Sequence, residues 1–339
     1  MSSLLAQIKT EAKPLPSRVF LYAREKFGKS SLFAHAPGVV FFMTRGETGL
    51  LELVAGGRVP PTPHFPYDEA APPTWDTLRQ AVRELRDGDH PYKMLVVDTC
   101  NGAEILCQEH VLRTQFGNNL SKFSSYGKGW DACRLQWLAL VADLDAMRAK
   151  RSMGVVLLAH TKIKKYTDPT SEDEYDKFLP ACQDKLWELT HKWADVICFG
   201  QFAAETYETE SGKTRARAVA KRVLCFDQSP QYDAGNRYGL TGRLEIDGGG
   251  AKAWAAFAGA VKTARGQART KPAAPTPPSP DAVHDLCQAR SAASGVPLDA
   301  VLDALFLHLG TQAAGLDDLA PADLAAAGAW LSPADGGAA

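Results

Sequence analysis

No Cys-x-x-Cys pair occurs in the 339 residues, and the seven cysteines are scattered. That spacing argues against a zinc site and against a disulfide framework. Reduced thiols and a cytoplasmic location are expected. No apolar run approaches the roughly 20 residues needed to cross a bilayer, so no membrane partner is expected. The first nine residues, Met1 to Lys9, lack the charged start and long apolar stretch of a secretory leader. Charge of one sign is scarce only locally. The net charge is −1, yet from Asp281 onward there are eight Asp and a single Arg, so the body before it carries +6. A mildly basic body with an acidic tail is compatible with nucleic-acid work without being diagnostic of it.

What is present begins with Ala23-Arg24-Glu25-Lys26-Phe27-Gly28-Lys29-Ser30. An apolar run, Val19 to Tyr22, precedes it, and a helical pattern beginning at Ser31 follows. Strand, glycine-containing loop, Lys-Ser and helix is the layout of a phosphate-binding loop. Successive backbone N–H groups in such a loop point inward at an anion. Gly28 lets the backbone approach closely. Lys29 is placed to reach the β- and γ-phosphates of ATP, and the Ser30 hydroxyl to ligate Mg²⁺. The first glycine of the usual pattern is absent, with Ala23 in its place.

Three further apolar runs read as buried parallel strands, and each leads to a polar residue. Gly38 to Met43 leads to Glu47, Met94 to Val97 ends at Asp98, and Met153 to Ala159 ends at His160. Asp98 fits the Walker B position, where a carboxylate supports Mg²⁺. No Glu follows it; Thr99 and Cys100 do. Glu47 is therefore the candidate base that orients and deprotonates water, with a solvated loop acid as the competing reading. His160 is a candidate sensor of the γ-phosphate, with an ordinary structural histidine as the alternative.

Between these runs, Thr74 to Arg86 has helical spacing with Thr74 as N-cap. Helices are also expected over Gly102–Arg113, Asp131–Ala149 and Asp184–Trp193. Residues 117–130 interleave Lys122 and Lys128 with Phe123, Tyr126 and Trp130 among glycines and serines. That composition suits a mobile loop that binds single-stranded DNA, or an ordinary surface loop. Residues 161–176 read as a second mobile segment that contacts single-stranded DNA. From Phe202 to Ile246, short antiparallel strands are expected. This stretch carries Arg215, Arg217, Arg222 and Arg237, and Arg222 or Arg237 is a candidate arginine finger toward a neighbouring subunit. Residues 263–280, rich in Pro and Ala, read as a linker. Residues 281–331 read as a small helical module for docking or for stability, and 332–339 as a disordered tail.

Glu47, Asp98 and His160 on a phosphate-loop core resemble the RecA-like ATPases over about residues 15–260. The segments Phe42 to Leu50 and Asp233 to Leu240 look like the compact ATP-binding proteins that phages encode for recombination and single-strand annealing. The resemblance implies an α/β RecA-like core over 1–262 with a mostly parallel sheet and a small antiparallel extension. It implies ATP and Mg²⁺ held by the loop through Ala23–Ser31, with Ser30 and Asp98 at the metal and Lys29, Glu47 and His160 in the reaction. It also implies that the γ-phosphate is coupled through His160 to DNA-binding loops, in a homo-oligomer. Recombination or replication proteins would meet the C-terminal module. A hexameric helicase motor and a non-hydrolysing, ATP-switched DNA-binding module are the alternatives.

Overall fold

A computed structural model describes residues 8, 14–167, 174–208, 214–246, 249–270, 278–311 and 315–331; side chains are described at all of these except 204–208, 214–220, 267–270 and 329. The chain divides into two compact units, Met1–Ala268 and Arg269–Ala339.

In the first unit, β1 (Arg18–Ala23), α1 (Lys29–Ala34), β2 (Val39–Met43), α2 (Gly49–Ala55), α3 (Trp75–Asp87) and β3 (Met94–Asp98) follow in order. Then come α4 (Cys100–Phe116), α5 (Leu120–Ser124), α6 (Lys128–Arg151) and β4 (Gly154–Ala159). A hairpin, β5 (Thr161–Thr167) and β6 (Glu174–Pro180), leads to α7 (Asp184–Trp193). Then come β7 (Val196–Glu208), β8 (Thr214–Cys225), β9 (Gly235–Asn236), β10 (Arg243–Ile246) and α8 (Gly250–Thr270), whose last two residues fall past the unit's end at Ala268.

The main sheet has the order β10-β8-β7-β1-β4-β3-β2, with β9 beside β7. From β7 to β2 all pairs are parallel; β8, β9 and β10 add antiparallel strands at one side. This is an α/β core with a mostly parallel sheet and a small antiparallel extension, as expected. The central strands are apolar on both faces because helices cover both. Successive residues alternate between the two layers: Phe20 and Tyr22 join the cluster packed by α3, α4, α6 and α7, while Val19, Leu21 and Ala23 join the one packed by α1 and α8. Parallel alignment brings the carboxyl ends of β1, β2, β3 and β4 to one edge, where ligands gather in open α/β sheets.

Several expectations hold. The Thr74 hydroxyl accepts the Thr77 N–H at 3.2 Å and caps α3. Trp137, Leu140, Leu144 and Met147 are the buried stripe of α6. Others are corrected. Residues 117–130 are not a loop: α5, a 3-10 turn and the start of α6 occupy most of the stretch. Asn119 caps α5 by accepting the Lys122 N–H at 2.9 Å. Phe123 is buried, packs edge-on to Phe116 and Trp130, and sits where a Cβ on Gly129 would be 2.3 Å away. The glycine that looked like a source of flexibility is a packing glycine. Of the three aromatics, only Tyr126 is fully presented to solvent, at 95% exposure. Residues 161–176 likewise form most of a paired hairpin, with 168–173 outside the described residues. The first of the strands expected after Phe202 is not separate: β7 runs unbroken from Val196 to Glu208.

The expected linker is also shortened. Helix α8 runs through 263–270, because Ala253, Phe257 and Ala264 give it a buried face. Arg265 also donates to the Leu15 carbonyl at 2.7 Å. Residues 271–277 of the expected linker, the residues before 14 apart from Ile8, and the expected tail at 332–339 lie outside the described residues. So do the side chains of Arg215 and Arg217.

The second unit contains α9 (Pro280–Ser294), α10 (Leu298–Leu309) and α11 (Pro321–Leu331). Ser279 caps α9 by accepting the Ala282 N–H at 3.2 Å, and Gly295, at φ 69°, ends it. Val283, Cys287, Val301, Leu305, Leu324 and Leu331 form its own core. Among the described residues, no single helix is long and apolar enough to cross a membrane; α9 and α10 pass by length and composition only as a pair bent by 120°.

Candidate functional site

The turn from β1 into α1 is made by residues that the local backbone demands. Gly28 has φ 96°, a conformation that L side chains rarely adopt. A Cβ there would also stand 2.7 Å from Arg222 Nη1. Ala23, by contrast, is the last residue of β1 and pairs with Gly200 of β7. A Cβ on Gly200 would meet the Phe27 ring at 2.6 Å and the Ala23 Cβ at 2.9 Å. The methyl group that replaces the usual glycine is thus accommodated by a glycine on the neighbouring strand.

Lys29 is 6% exposed. Its Nζ donates to the carbonyls of Ala23 at 3.1 Å and Arg24 at 3.3 Å, and lies 3.4 Å from His160 Nδ1. Burial lowers its pKa against the raising influence of Asp98 and Glu47. The next residue, Ser30, donates its hydroxyl to Asp98 Oδ2 at 2.5 Å. Asp98 is buried at the end of β3, and burial pushes its carboxyl up to about 6. Thr44, just past β2, holds this strand end: its N–H reaches the Asp98 carbonyl at 2.7 Å, and its hydroxyl oxygen accepts the Thr99 N–H at 3.0 Å.

Glu47 follows the same β2 strand end. Its Oε1 accepts from Thr99 Oγ1 at 3.2 Å and lies 2.9 Å from His160 Nε2. Burial raises its pKa, but the hydrogen bond and charge of His160, the bond from Thr99 and the charge of Lys29 outweigh this, and the net shift is downward. The His160 ring thus stands between Lys29 and Glu25 at Nδ1 and Glu47 at Nε2. The His160 N–H in turn reaches Asn101 Oδ1 at 3.1 Å.

Lys29, Ser30, Glu47, Asp98 and His160 line one cleft of about 800 Å³, together with Glu25, Lys26, Gly28, Ser31 and Arg222. Of the loop residues expected at the nucleotide, Glu25, Lys26, Gly28, Lys29, Ser30 and Ser31 line it. Ala23 and Phe27 are buried in the core instead, and Arg24 is an exposed side chain outside it.

Arg222 is a correction in kind. One of two candidates for a neighbouring subunit's nucleotide, it lines the cleft of its own chain. Antiparallel pairing brings it there, opposite Phe202. Arg237 is elsewhere. It lies 3.2 Å from Asp195 at the start of β7, the end of the strand away from the cleft, and also donates to the Lys192 carbonyl at 2.5 Å. Asp195 is buried and gathers Arg18 and Arg148 as well, at 2.7 and 3.2 Å. Sequence reading missed Thr44, Thr99 and Asn101, which fix the catalytic-type side chains. Their only signal was position, one to three residues beyond the ends of apolar runs.

Residues 15–238 match the family model of the AAA domain. The chain belongs to the AAA domain family. The matched stretch takes in the whole cleft, from the phosphate loop to Arg222, and leaves the helical second unit outside it. No curated protein matches the chain. Among solved structures, this AAA domain protein is similar to that of the RadB recombinase, at 12% identity and a TM-score of 0.38, over 68% of this chain and 88% of the other.

Proposed function

We propose that the chain is an Mg²⁺-dependent ATPase that binds single-stranded DNA and assists recombination or replication. The observation that carries this is the meeting of Lys29, Ser30, Asp98, Glu47 and His160 in one cleft. Five polar groups from four strand ends converge where an AAA domain handles its nucleotide.

The roles follow from chemistry. Residues Gly28 to Ser31 and Lys29 bind the phosphates, where the N-terminus of α1 adds its partial positive charge. The Ser30 hydroxyl and the Asp98 carboxylate fit a hard cation, since both are oxygen donors already converging at 2.5 Å. A buried carboxyl whose pKa is raised is also one that gains from a cation beside it. Bound there, Mg²⁺ would neutralise charge on the β- and γ-oxygens. Glu47 orients the attacking water and takes its proton; its lowered pKa keeps it ionised, so that it can accept the water's hydrogen bond. Arg222 stabilises charge on the phosphates from within the same chain.

His160 is one residue before the β5–β6 hairpin. A γ-phosphate competing for its ring would loosen the bond to Glu47 and pull on the start of that hairpin. The hairpin presents Lys164 and Lys165 with Tyr166 and the exposed Ile163, a mix of cations and a ring suited to phosphates and bases. Its tyrosines, Tyr166 and Tyr175, lie against each other at 5.5 Å. With 117–130 folded into helices, the hairpin is the favoured DNA contact. Self-association, a cytoplasmic setting, and docking of recombination or replication proteins by the second unit belong to this reading.

The test is ATP hydrolysis with and without single-stranded DNA, for the wild type and Glu47→Gln. Hydrolysis stimulated by DNA and lost in the variant supports the reading. Hydrolysis that Glu47→Gln leaves intact removes Glu47 as the base, and binding without turnover in the wild type favours the ATP-switched module.

A further inference from the structure

Behind the cleft, on the side of the sheet covered by α4 and α7, lies a second polar cluster that the ATPase chemistry does not use. Cys100 opens α4, two residues past Asp98, and Glu104 is one helical turn further on. Cys182 comes from the junction between β6 and α7, 82 residues later in the chain. One ligand atom from each of the three lies within 4.8 Å of the other two. All three residues are buried.

The carboxyl group of Glu104 is the anomaly. One oxygen accepts the Gln183 N–H at 2.8 Å, while the other, Oε1, is buried without a hydrogen-bond partner. The Cys182 thiol, a weak donor, also interacts with this carboxyl, but a buried carboxyl oxygen without a full hydrogen bond costs free energy. Burial accordingly pushes this carboxyl up to about 8. Two thiols beside it supply no cation. The nearest positive charge, Lys162, donates to the Cys182 carbonyl at 2.6 Å rather than to the carboxylate.

We propose that Cys100, Glu104 and Cys182 form a zinc site that fastens the base of the β5–β6 hairpin to helix α4. Two thiolates and one carboxylate are a donor set for a borderline-soft divalent ion rather than for Mg²⁺ or Ca²⁺. Tetrahedral bonds of about 2.0–2.3 Å separate ligand atoms by roughly 3.3–3.8 Å, which the present spacing reaches with small side-chain rotations. Three protein ligands leave one position for water. Zn²⁺ with two thiolates and a carboxylate carries −1, and the Lys162 ammonium beside the Cys182 carbonyl, also paired with Asp184 at 3.3 Å, offsets part of it. The ion also gives Glu104 Oε1 the partner it lacks. The chain spacing conceals such a site, because no two of its cysteines are close in sequence.

The consequence is mechanical. Cys182 is next to Ala181, whose N–H donates to the His160 carbonyl at 2.8 Å. On the other side, Asn101, next to Cys100, accepts the His160 N–H. A zinc ion here would clamp both anchors of His160 at once.

The test is metal analysis of the full chain purified without chelator, followed by Co²⁺ substitution. The expected result is about one zinc per chain, and thiolate-to-Co²⁺ charge-transfer absorption after exchange. Cys100→Ser and Glu104→Gln should each weaken Co²⁺ binding at least tenfold. Cys107→Ser, outside the cluster, should leave it unchanged, and so should Ser30→Ala, which separates this ion from the proposed Mg²⁺. Metal-free wild-type protein that gives no charge-transfer band with Co²⁺ overturns the proposal without any variant needing to fold. A band that survives Cys100→Ser also overturns it, as does a Cys100–Cys182 disulfide detected by mass spectrometry in the unreduced protein.

Discussion

Glu47 and His160 face each other at 2.9 Å, one past the end of β2 and the other past the end of β4. The strand between them in the sheet, β3, ends in Asp98 and contributes Thr99, which also bonds Glu47. The pair therefore spans the candidate metal position. Any ligand that changes the His160 ring changes the carboxylate proposed to activate water.

Two variants should separate these residues. Glu47→Gln should lower ATP turnover by about 10²–10⁴-fold, the usual contribution of a positioned base, while nucleotide affinity stays within a few-fold. His160→Ala should make single-stranded DNA affinity indifferent to ATP or ADP. Steady-state hydrolysis and fluorescence anisotropy on labelled DNA read the two effects. Equal losses in both assays for both variants would contradict the division of labour.

Arg222 should act in its own chain. Arg222→Ala should lower turnover by about 10³-fold, at the low end for an arginine acting on a transferring phosphate. Mixing Arg222→Ala protein with Lys29→Ala protein should not restore activity, since no mixed site gains a finger. Recovery in the mixture would show that the arginine works between subunits. Arg237→Ala, at an ion pair exposed on the arginine side, should leave turnover unchanged.

Gly200 should be intolerant of any side chain. Gly200→Ala places a methyl group 2.6 Å from the Phe27 ring and 2.9 Å from Ala23. Overpacking of this kind costs about 1–3 kcal/mol. Because Phe27 is part of the phosphate loop, nucleotide affinity should fall along with the urea midpoint. A stable Gly200→Ala protein with normal affinity would show that the loop can shift freely.

Asp195 should govern acid stability at the far end of the sheet. Burial raises its pKa, but the hydrogen bonds and charges of Arg18, together with Arg148, bring it below the ordinary carboxylate value. A carboxyl whose folded pKa is depressed contributes stability above its unfolded pKa, near 3.9. That contribution is lost as pH falls through the lower folded value. Asp195→Asn should therefore cost about 3–5 kcal/mol at neutral pH, as when one partner of a buried pair is removed. The gap between variant and wild type should narrow below about pH 4, as read by urea melts across pH. A gap independent of pH would remove the charge from the explanation.

Much of this protein could be read from its residues in order. The apolar runs at 19–22, 39–43, 94–97 and 154–159 announced buried parallel strands, because a strand covered on both faces has no polar alternation to hide it. Gly28-Lys29-Ser30 announced an anion loop, because backbone conformation and charge there are local properties. Asp98 and His160 could be placed, since each directly follows such a run, and Glu47 lies a few residues beyond one. What the chain order could not disclose was which distant segments share a side of the sheet. Arg222 reaches the cleft through antiparallel pairing with β7, Gly200 makes room for Ala23 from the neighbouring strand, and Phe123 turns an apparent loop into a packed helix over Gly129. Cys100 and Cys182 become neighbours only when the hairpin returns to α4. Local spacing determines which element a segment forms; only the closed sheet, with its fixed strand order and register, decides which side chains meet.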